Sequence, residues 1–413
     1  MHLDFRWISI AVGTLAPDLA MKASTAPLRK IIYLSGTRAD FGLMTSSLVL
    51  LAKVADLSIA VTGMHLAPGF GETVNDIRAA GLRICGEVPT DVTTRTAQSM
   101  SAGIGECVIG MTSLLQREKP DMLMLLGDRG EMLAGAIAAL HLGIVCVHIH
   151  GGERSGTVDE PVRHAISKLS HYHLVATAES ENRLTRMGER PATIQVTGAP
   201  GLDGLVEMAD SSVKDSVSVL NMPSDQPFIL AIFHPVVQQA QNAYSQTASL
   251  LLALKRTGLP VVWLEPNADA GSHDVLKALA DVGLPDGSIR FKHMPREIFA
   301  FAMKHCAVML GNSSAGIIEA ASFSTPVINV GDRQRLRERS ANVVDVVTDA
   351  DADGDGDADA DADAIFGAVA VALKAGKVPC ENKYGDGRAG ARIVNLLTTL
   401  SLECSVLDKS NSY

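Results

Sequence analysis

The chain has 413 residues, which is long for one hydrophobic core, so its length predicts two domains. Apolar residues make up 47 % of the sequence and charged residues 20 %, a globular composition. Aromatic residues make up only 4 %, which argues against a surface that stacks nucleic-acid bases. Most of the net charge of −10 comes from the aspartates of residues 349–363, so the rest is near neutral and lacks a basic footprint for nucleic acid.

The first twenty residues only faintly resemble a signal peptide, because Asp4 accompanies Arg6 and the apolar stretch is short and interrupted. We interpret residues 1–28 as an N-terminal extension of a cytoplasmic protein, whose translation starts at Met1 or Met21. The six cysteines form no C-x-x-C pair, which favours a reducing compartment. No apolar run reaches the ~18 residues that a membrane span needs, so no membrane partner is predicted.

Short apolar runs alternate with helical patterns along the chain. The first runs, often closed by Gly, predict buried parallel strands at 30–36, 57–63, 121–127, 143–149, 172–177 and 193–198. Helical patterns lie between them, for example at 102–118 and 130–141. A second series of apolar runs predicts strands at 228–233, 260–265, 288–293, 307–311, 326–331 and 342–347. Two such blocks predict an α/β protein with two doubly wound, Rossmann-like lobes and a cleft between them.

The domain boundaries follow from this alternation. We place the first lobe at 29–203, the second lobe at 204–385, and a C-terminal helix that could cross back to the first lobe at 386–404. Within the second lobe, the Asp-Ala run at 349–363 is predicted to be a low-complexity surface loop. From Asp351 it begins like a calcium loop, D-x-D-x-D-G, but Ala362 occupies the twelfth position, where such loops carry glutamate.

Charged and hydroxyl residues follow six of the predicted strands directly. In doubly wound sheets, ligands bind beyond the carboxyl ends of the strands. These segments therefore predict a ligand site in the cleft: "SGTRAD" (35–40), "GDRGE" (127–131), "HIHGGE" (148–153), "HPV" (234–236), "EPNADAG" (265–271) and "GNSSAG" (311–316).

The segment 311–338 has features of a nucleotide site. Ser313 and Ser314 open a helix directly after a strand, and the free N–H groups at a helix start can bind phosphate. The alternative is simple capping of that helix by Asn312 or Ser313. Glu319, one to two turns along, could accept a pair of ribose hydroxyls.

Several arginines at strand ends could bind phosphate. Arg333 and Arg337 follow the next strand and could neutralise a second phosphate, as a nucleoside diphosphate would require. Arg38 follows the first strand, with a solvated loop arginine as the alternative. Asp128 and Arg129 could simply form a local ion pair, although a surface pair adds little stability.

The segment 148–164 carries an unusual density of groups that can transfer protons. His150, Glu153 and Asp159 lie beyond a strand end, and histidine and carboxylates are the groups whose pKa values are most readily tuned towards neutrality. His234 ends the matching strand of the second lobe and could face them across the cleft.

The other histidines favour a structural interpretation. His148, His171 and His173 are predicted to be buried and hydrogen-bonded. His164 and His171, seven residues apart, would share a helical face. We predict no metal site, because no further carboxylate or cysteine pair stands at ligand spacing.

Taken in order, these motifs resemble those of the hydrolysing UDP-N-acetylglucosamine 2-epimerases, which include the epimerase half of the bifunctional enzyme of sialic-acid synthesis. The resemblance runs from about residue 30 to 404 and includes "TGMHLAPGFGET", "GGERSGTVDEPVRHAISKLSHYH", "TPVINVGDRQ" and "KYGDG". It implies two lobes arranged as in B-type glycosyltransferases. It also implies elimination of UDP to a 2-acetamidoglycal, followed by addition of water at C1 and return of a proton to C2 from the opposite face.

The resemblance also assigns roles to individual residues. Asp128, His150, Asp159 and His234 are the predicted catalytic groups. The predicted substrate-binding residues are Arg38, Arg129, Glu153, Asn267, Ser313, Ser314, Glu319 and Arg333. No cofactor is implied, the partner is a UDP-sugar, and a homodimer or tetramer is compatible with the family.

One position departs from the family motif. Where the motif reads I-E-G-G, this chain reads I-H-G-G, which places His150 at a presumed catalytic glutamate. The histidine form resembles relatives that act on UDP-2,4-diacetamido-trideoxy sugars, which feed legionaminic-type rather than sialic acids. A non-hydrolysing epimerase, a glycosyltransferase of the same fold and a non-catalytic nucleotide-sugar sensor are the alternative functions.

Overall fold

Two parallel β-sheets form the framework of the protein. The computed structural model describes residues 28–67, 73–94, 96–211, 213–220, 226–267, 269–348 and 358–413. The first sheet contains Lys30–Ser35 (β1), Asp56–Thr62 (β2), Ile84–Val88 (β3), Met122–Leu126 (β4), Val145–Ile149 (β5), Tyr172–Val175 (β6) and Ile194–Val196 (β7). The second contains Ile229–Ile232 (β8), Val261–Leu264 (β9), Ile289–Phe291 (β10), Val308–Gly311 (β11), Val327–Val330 (β12) and Val343–Val346 (β13).

The strand order of both sheets is doubly wound, which confirms the predicted fold class. The first sheet runs β3-β2-β1-β4-β5-β6-β7 and the second runs β10-β9-β8-β11-β12-β13. The order reverses between β1 and β4 in one sheet and between β8 and β11 in the other. At such switch points the loops leave in opposite directions and open a crevice for ligands.

Each predicted strand has a counterpart in the structure, but the sequence analysis missed β3. Strands β1, β4 and β5 are buried along almost their whole length, which explains their continuous apolar runs. Strand β3 lies at the edge of its sheet and includes Gly86 and the exposed Glu87. An edge strand needs no continuous apolar run, so β3 gave no such signal.

Helices cover both faces of the two sheets. In the first lobe they are Arg38–Leu51 (α1), Val74–Ala79 (α2), Ala97–Glu118 (α3), Gly130–His141 (α4), Asp159–Leu169 (α5) and Ala178–Arg186 (α6). Along the chain, Leu205–Ser211 (α7) and Val213–Leu220 (α8) follow the last strand of the first sheet and precede the first strand of the second. The remaining helices are Ala243–Thr257 (α9), Ser272–Val282 (α10), Arg296–His305 (α11), Ser314–Ile318 (α12), Ala358–Ala375 (α13), Ala389–Thr399 (α14) and Cys404–Leu407 (α15).

The C-terminal region extends the first lobe. Helix α14 contributes Ile393, Val394 and Leu397 to the same buried apolar cluster as Leu48 and Leu51 of α1. Asp203 accepts a hydrogen bond from the backbone N–H of Ala389 at 2.9 Å, where α14 begins.

The Asp-Ala run differs from the loop that the sequence predicted. Residues 358–363 form the first turns of α13, and Ala362 is buried against Ile365 and Val369 in the second-lobe core. The prediction was wrong for these residues because alternating Ala supplies an apolar contact on the helix face. Residues 349–357 lie outside the described residues. In the described part of the chain, no helix is both long and apolar enough to cross a membrane.

Candidate active site

The candidate site lies where the carboxyl ends of the two sheets face each other. The loops after β1, β4 and β5 supply its first-lobe side, and those after β8, β9, β11 and β12 its second-lobe side. Side chains meet across the boundary: Arg129 Nη2 lies 3.6 Å from Asp269 Oδ1, and Arg333 Nη2 lies 3.7 Å from Asp159 Oδ2. The strand ends identified in the sequence therefore converge in space.

Asp128 follows β4 and is paired with arginines that are distant in sequence. Arg163, on the second turn of α5, donates to Asp128 Oδ2, and Arg337 Nη2 lies 3.9 Å from the same oxygen. Burial raises the pKa of the Asp128 carboxyl, but Arg163 and Arg337 outweigh burial, so the pKa lies below its usual value. Asp128 is therefore held as a carboxylate.

The local ion pair that was the alternative interpretation of Asp128 and Arg129 does not form. The Arg129 guanidinium contacts Glu131 at 3.3 Å and Asp269 at 3.6 Å instead. Arg129 is the N-cap of α4, and its backbone is extended there. Asp128 and Arg129 each have one partner in their own lobe and one in the other lobe, but they share no partner.

Asp159 begins α5 and lies in the same electrostatic environment as Asp128. Its Oδ2 accepts a hydrogen bond from the Thr157 hydroxyl at 3.1 Å. Burial raises the pKa of Asp159, the negative charge of Asp128 raises it further, and Arg333 offsets only part of this. Two carboxyl groups with pKa values moved in opposite directions have the arrangement expected of an acid–base pair.

His150 follows β5 in a strained backbone conformation. Its φ of +62° lies in the left-handed region, which non-glycine residues rarely adopt and which is enriched at functional sites. Its Nδ1 contacts Glu153 Oε1, and Arg337 donates to the other oxygen of Glu153. Because Nδ1 faces a carboxylate, Nδ1 carries the proton and Nε2 is the nitrogen that can act as a base.

Glu153 is an internal carboxylate rather than a surface residue, with only 3 % of its side chain exposed. Burial raises its pKa, but Arg337 and His150 outweigh burial and hold the pKa well below its usual value. Arg163 also donates to the Glu153 carbonyl at 2.9 Å. Glu153 thus holds His150 with one carboxylate oxygen and Arg337 with the other.

His234 is held by neutral hydrogen bonds inside the second lobe. The Asn312 side chain accepts from the His234 backbone N–H at 2.7 Å and donates to its carbonyl at 2.8 Å. The His234 ring Nδ1 accepts from the Asn267 N–H at 3.3 Å. Burial, followed by the charges of Arg333 and Arg129, lowers the His234 pKa well below its usual value, so the ring is neutral with its proton on Nε2.

In the segment after β11, Ser313 caps the following helix, as the capping alternative describes. Ser313 is the N-cap of α12 and accepts from the Ala315 N–H at 3.4 Å. A side chain at Gly311 would place its Cβ 1.9 Å from the Ile232 carbonyl oxygen, so only glycine fits where β11 ends. Phosphate binding by Ser313 and Ser314 stays a prediction.

Glu319 and Arg38 both pair with other side chains of the protein. Glu319 forms an ion pair with Arg296, and burial raises the Glu319 pKa despite that partner. Arg296 also donates to the Gly201 carbonyl at 2.9 Å. Arg38 Nε lies 3.1 Å from Asp76 Oδ2, so the Arg38 side chain is held by an ion pair and is not a solvated loop arginine.

The remaining histidines match the structural interpretation, with one exception. His148 bonds Ser167 Oγ at 3.0 Å and the Gly127 carbonyl at 2.7 Å, and His173 bonds Glu189 at 3.0 Å. His171 accepts from the Cys146 N–H at 3.0 Å. The shared helical face of His164 and His171 was wrong, because α5 ends at Leu169.

Four residues of the site were not singled out by the sequence analysis: Arg163, Asp269, Arg296 and Asn312, the last of which had been considered only as a cap. Arg163 stands four residues after Asp159, a helical spacing that could have indicated it. Asp269 lies within the strand-end segment 265–271 that the sequence analysis had identified, whereas the position of Arg296 gave no signal.

Comparison with known proteins identifies the family. A family model described as UDP-N-acetylglucosamine 2-epimerase matches residues 51–398. The UDP-N,N'-diacetylbacillosamine 2-epimerase (hydrolyzing) of Legionella pneumophila is 47 % identical, and the match covers 94 % of this chain and 100 % of that protein. A UDP-N-acetylglucosamine 2-epimerase of Neisseria meningitidis is 33 % identical, with 87 % and 92 % covered.

Solved structures show the same fold. The Methanocaldococcus jannaschii UDP-GlcNAc 2-epimerase in complex with UDP-GlcNAc and UDP matches with a TM-score of 0.73 at 20 % identity, covering 89 % of this chain and 99 % of that one. A crystal structure of a UDP-GlcNAc 2-epimerase from Neisseria meningitidis bound to UDP-GlcNAc matches with a TM-score of 0.72 at 19 % sequence identity in the structural comparison and the same coverage. The two lobes, the convergent strand ends and the sequence relationships agree, and this chain is an enzyme that belongs to the UDP-N-acetylglucosamine 2-epimerase family.

Proposed function

We propose that this enzyme is a hydrolysing 2-epimerase that converts a UDP-linked 2-acetamido sugar into UDP and the free sugar epimerised at C2. The observation that carries the proposal is the acid–base cluster of Asp128, His150 and Asp159, in which Arg333 of the other lobe lies 3.7 Å from Asp159 and Arg337 lies 3.9 Å from Asp128. Cations suited to a diphosphate thus adjoin groups suited to proton transfer. The hydrolysing relative with 47 % identity supports the same activity.

In this proposal the arginines bind the diphosphate. Arg333 lies 3.7 Å from Asp159, and Arg129 lies 3.6 Å from Asp269. Both distances are long for ion pairs. A diphosphate carries more negative charge and accepts bidentate hydrogen bonds, so it can displace these carboxylates. We assign Asn267, Ser313, Ser314 and Glu319 to the rest of the nucleotide, and Arg38 to the opposite wall.

The chemistry begins with proton abstraction at C2. We assign this step to His150 Nε2, with Asp159 as the proton donor on the other side of the sugar. The C2–H electron pair forms the C1=C2 double bond, and the C1–O bond breaks so that UDP leaves with its electron pair. His234, neutral with its proton on Nε2, donates a hydrogen bond to the leaving phosphate oxygen.

Hydration of the resulting glycal completes the reaction. Asp159 gives its proton to C2 on the face opposite to the one from which His150 removed it, and water adds its oxygen to C1. The proton that water loses restores Asp159, and His150 releases the proton taken from C2 to solvent. Asp128 stays ionised between Arg163 and Arg337, so it stabilises positive charge that develops at C1 in both steps. The sum is UDP-sugar plus water giving UDP plus the free epimer.

We further propose that the preferred sugar carries a second acetamido group at C4. Two points support this: His150 stands where the resemblance implies a catalytic glutamate, and the Legionella relative is named for a diacetylated sugar. The free product would then serve the synthesis of a legionaminic-type acid, whereas N-acetylmannosamine would serve sialic-acid synthesis. We expect a cytoplasmic enzyme that forms a homodimer or tetramer, which light scattering coupled to gel filtration measures.

The test is product analysis. The purified enzyme is incubated in D2O with UDP-GlcNAc and, separately, with the UDP-2,4-diacetamido-trideoxy sugar, and products are identified by NMR and mass spectrometry. We expect free sugar with inverted C2 configuration, one deuterium at C2, and faster turnover of the diacetamido substrate. An epimerised sugar still linked to UDP would indicate the non-hydrolysing reaction. Binding without deuterium incorporation would indicate a nucleotide-sugar sensor.

A further inference from the structure

A short segment near the end of the described chain, residues 409–412, lies against the first lobe at the C-terminal ends of α5 and α6. The Ser412 N–H donates to the Gly188 carbonyl at 2.9 Å, and Arg190 donates to Ser410 Oγ at 2.7 Å. Lys168 Nζ donates to Asn411 Oδ1 at 2.7 Å. These contacts attach the segment, which we call the tail strap, along its whole length.

Lys409 is the part of the tail strap that reaches furthest inward. Its Nζ donates to the Ser167 carbonyl at 2.9 Å and to the Ser170 carbonyl, and it lies 2.6 Å from Glu189 Oε2. Only 18 % of its side chain is exposed. The cation therefore occupies the C-terminal end of α5, where the last carbonyls of a helix lack intrahelical partners and the helix dipole is negative.

Helix α5 is the element that carries Asp159 and Arg163. Ser167, one turn after Arg163, bonds the Arg163 carbonyl at 3.1 Å and His148 Nδ1 at 3.0 Å. His148 in turn bonds the Gly127 carbonyl at 2.7 Å, next to Asp128. The end of α5 that Lys409 caps is thus connected by hydrogen bonds to the loop that holds the catalytic carboxylate.

From these contacts we propose that Lys409 is a positioning residue for catalysis, which fixes the C-terminal end of α5 and thereby the placement of Asp159 and Arg163. The inference rests on the proposed function, because it assigns those residues to the reaction. Lys409 itself contacts neither the cleft arginines nor the sugar site. It acts through the helix.

Lys168 provides a matched control. Its Nζ lies 2.7 Å from the other oxygen of the same glutamate, Glu189, and it too donates to a backbone carbonyl, that of Met187. Its side chain is 36 % exposed, and its contacts lead to α6 and the tail strap rather than to the carbonyls at the end of α5. A loss that follows only from the weakened Glu189 pair would appear in both variants.

The test compares Lys409→Met, Lys409→Arg and Lys168→Met in the full chain. In Lys409→Met we expect kcat with the UDP-sugar to fall by about tenfold to a hundredfold, since small displacements of catalytic groups have such effects. KM should change by less than about threefold, because the diphosphate contacts lie elsewhere. Lys409→Arg keeps a cation at the helix end and should recover most of the lost kcat.

Hydrogen exchange of the α5 peptide gives a readout independent of turnover. Exchange should be faster at the end of α5 in Lys409→Met and unchanged there in Lys168→Met. Unchanged kcat in Lys409→Met, an equal loss in Lys168→Met, or unchanged exchange would each overturn the inference. Absence of turnover in the native enzyme would instead contradict the proposed function, and the exchange experiment would still test the contact.

Discussion

The two sides of the cleft hold their candidate catalytic groups in different ways. On the first-lobe side, the half-buried Asp128 and the buried Glu153 are carboxylates paired with arginines, one of which, Arg337, comes from the other lobe. On the second-lobe side, His234 is neutral and is held by amide hydrogen bonds from Asn312 and Asn267 of its own lobe.

This difference follows from the cost of burying charge. A buried carboxylate requires a cation or several hydrogen bonds, whereas a neutral imidazole requires only partners for its two nitrogens. The acid–base cluster therefore depends on contact between the lobes, but the His234 arrangement forms within one lobe. Substitutions on the two sides should differ accordingly in how strongly they affect stability and turnover.

The largest effect is expected when the interlobe cation is removed. Arg337→Met leaves Glu153 buried without its strongest partner, and we expect a loss of about 3–5 kcal/mol in the free energy of unfolding. Urea unfolding followed by circular dichroism measures it. Arg78→Met, which breaks an exposed pair with Glu87, should cost less than about 1 kcal/mol. Similar losses in both variants would contradict the distinction between buried and exposed pairs.

Removal of the raised-pKa carboxyl should affect turnover more than stability. Asp159→Asn keeps the shape but cannot transfer a proton, and we expect kcat to fall at least about a hundredfold while UDP still binds. Coupled UDP release and calorimetry measure the two quantities. The neighbouring Glu160→Gln, whose side-chain oxygen can still accept from the Ser155 and Gly156 N–H groups, should stay within about threefold of native kcat. Near-native turnover of Asp159→Asn would remove it from the mechanism.

A smaller effect is expected on the second-lobe side. Asn312→Ala removes both hydrogen bonds to the His234 backbone, and we expect kcat to fall by about tenfold, equivalent to about 1.4 kcal/mol. Asn342→Ala removes a comparable bond to the Thr325 carbonyl away from the cleft and should leave kcat unchanged. If the two variants lost the same activity, Asn312 would have only a general structural role.

The smallest predicted signal is a linked proton. Burial and Asp128 raise the pKa of Asp159 and Arg333 lowers it, so a diphosphate that takes Arg333 raises the pKa further. UDP binding should then take up part of a proton and weaken as pH rises through the new pKa. Calorimetry in buffers of different ionisation enthalpy measures the uptake, which should disappear in Asp159→Asn. If the heat of UDP binding to the native enzyme did not depend on the buffer, the proposal that the diphosphate replaces Asp159 as the partner of Arg333 would be refuted.

Much of the fold could be predicted from the sequence because parallel strands buried on both faces require continuous apolar runs. Strands such as β4 and β5 can be identified from their own apolar residues, and the polar groups that follow them can be identified in the same way. The edge strand β3 and the helical residues 358–363 could not be predicted in this way. They are buried on a single face, and such burial leaves only a weak pattern of apolar residues in the sequence. The histidines inside the first sheet were correctly interpreted, since apolar neighbours flank them.

The candidate site divides along the same line. The sequence by itself determined which ionisable groups stand at strand ends, since the order of strand and loop is a local property of the chain. Only the tertiary structure decided their partners. Asp128 pairs with Arg163 rather than with the adjacent Arg129, and Glu153 pairs with Arg337, which is 184 residues away in sequence. The charge state of a buried group depends on the few ångströms around it, and chain folding alone sets which residues occupy that space.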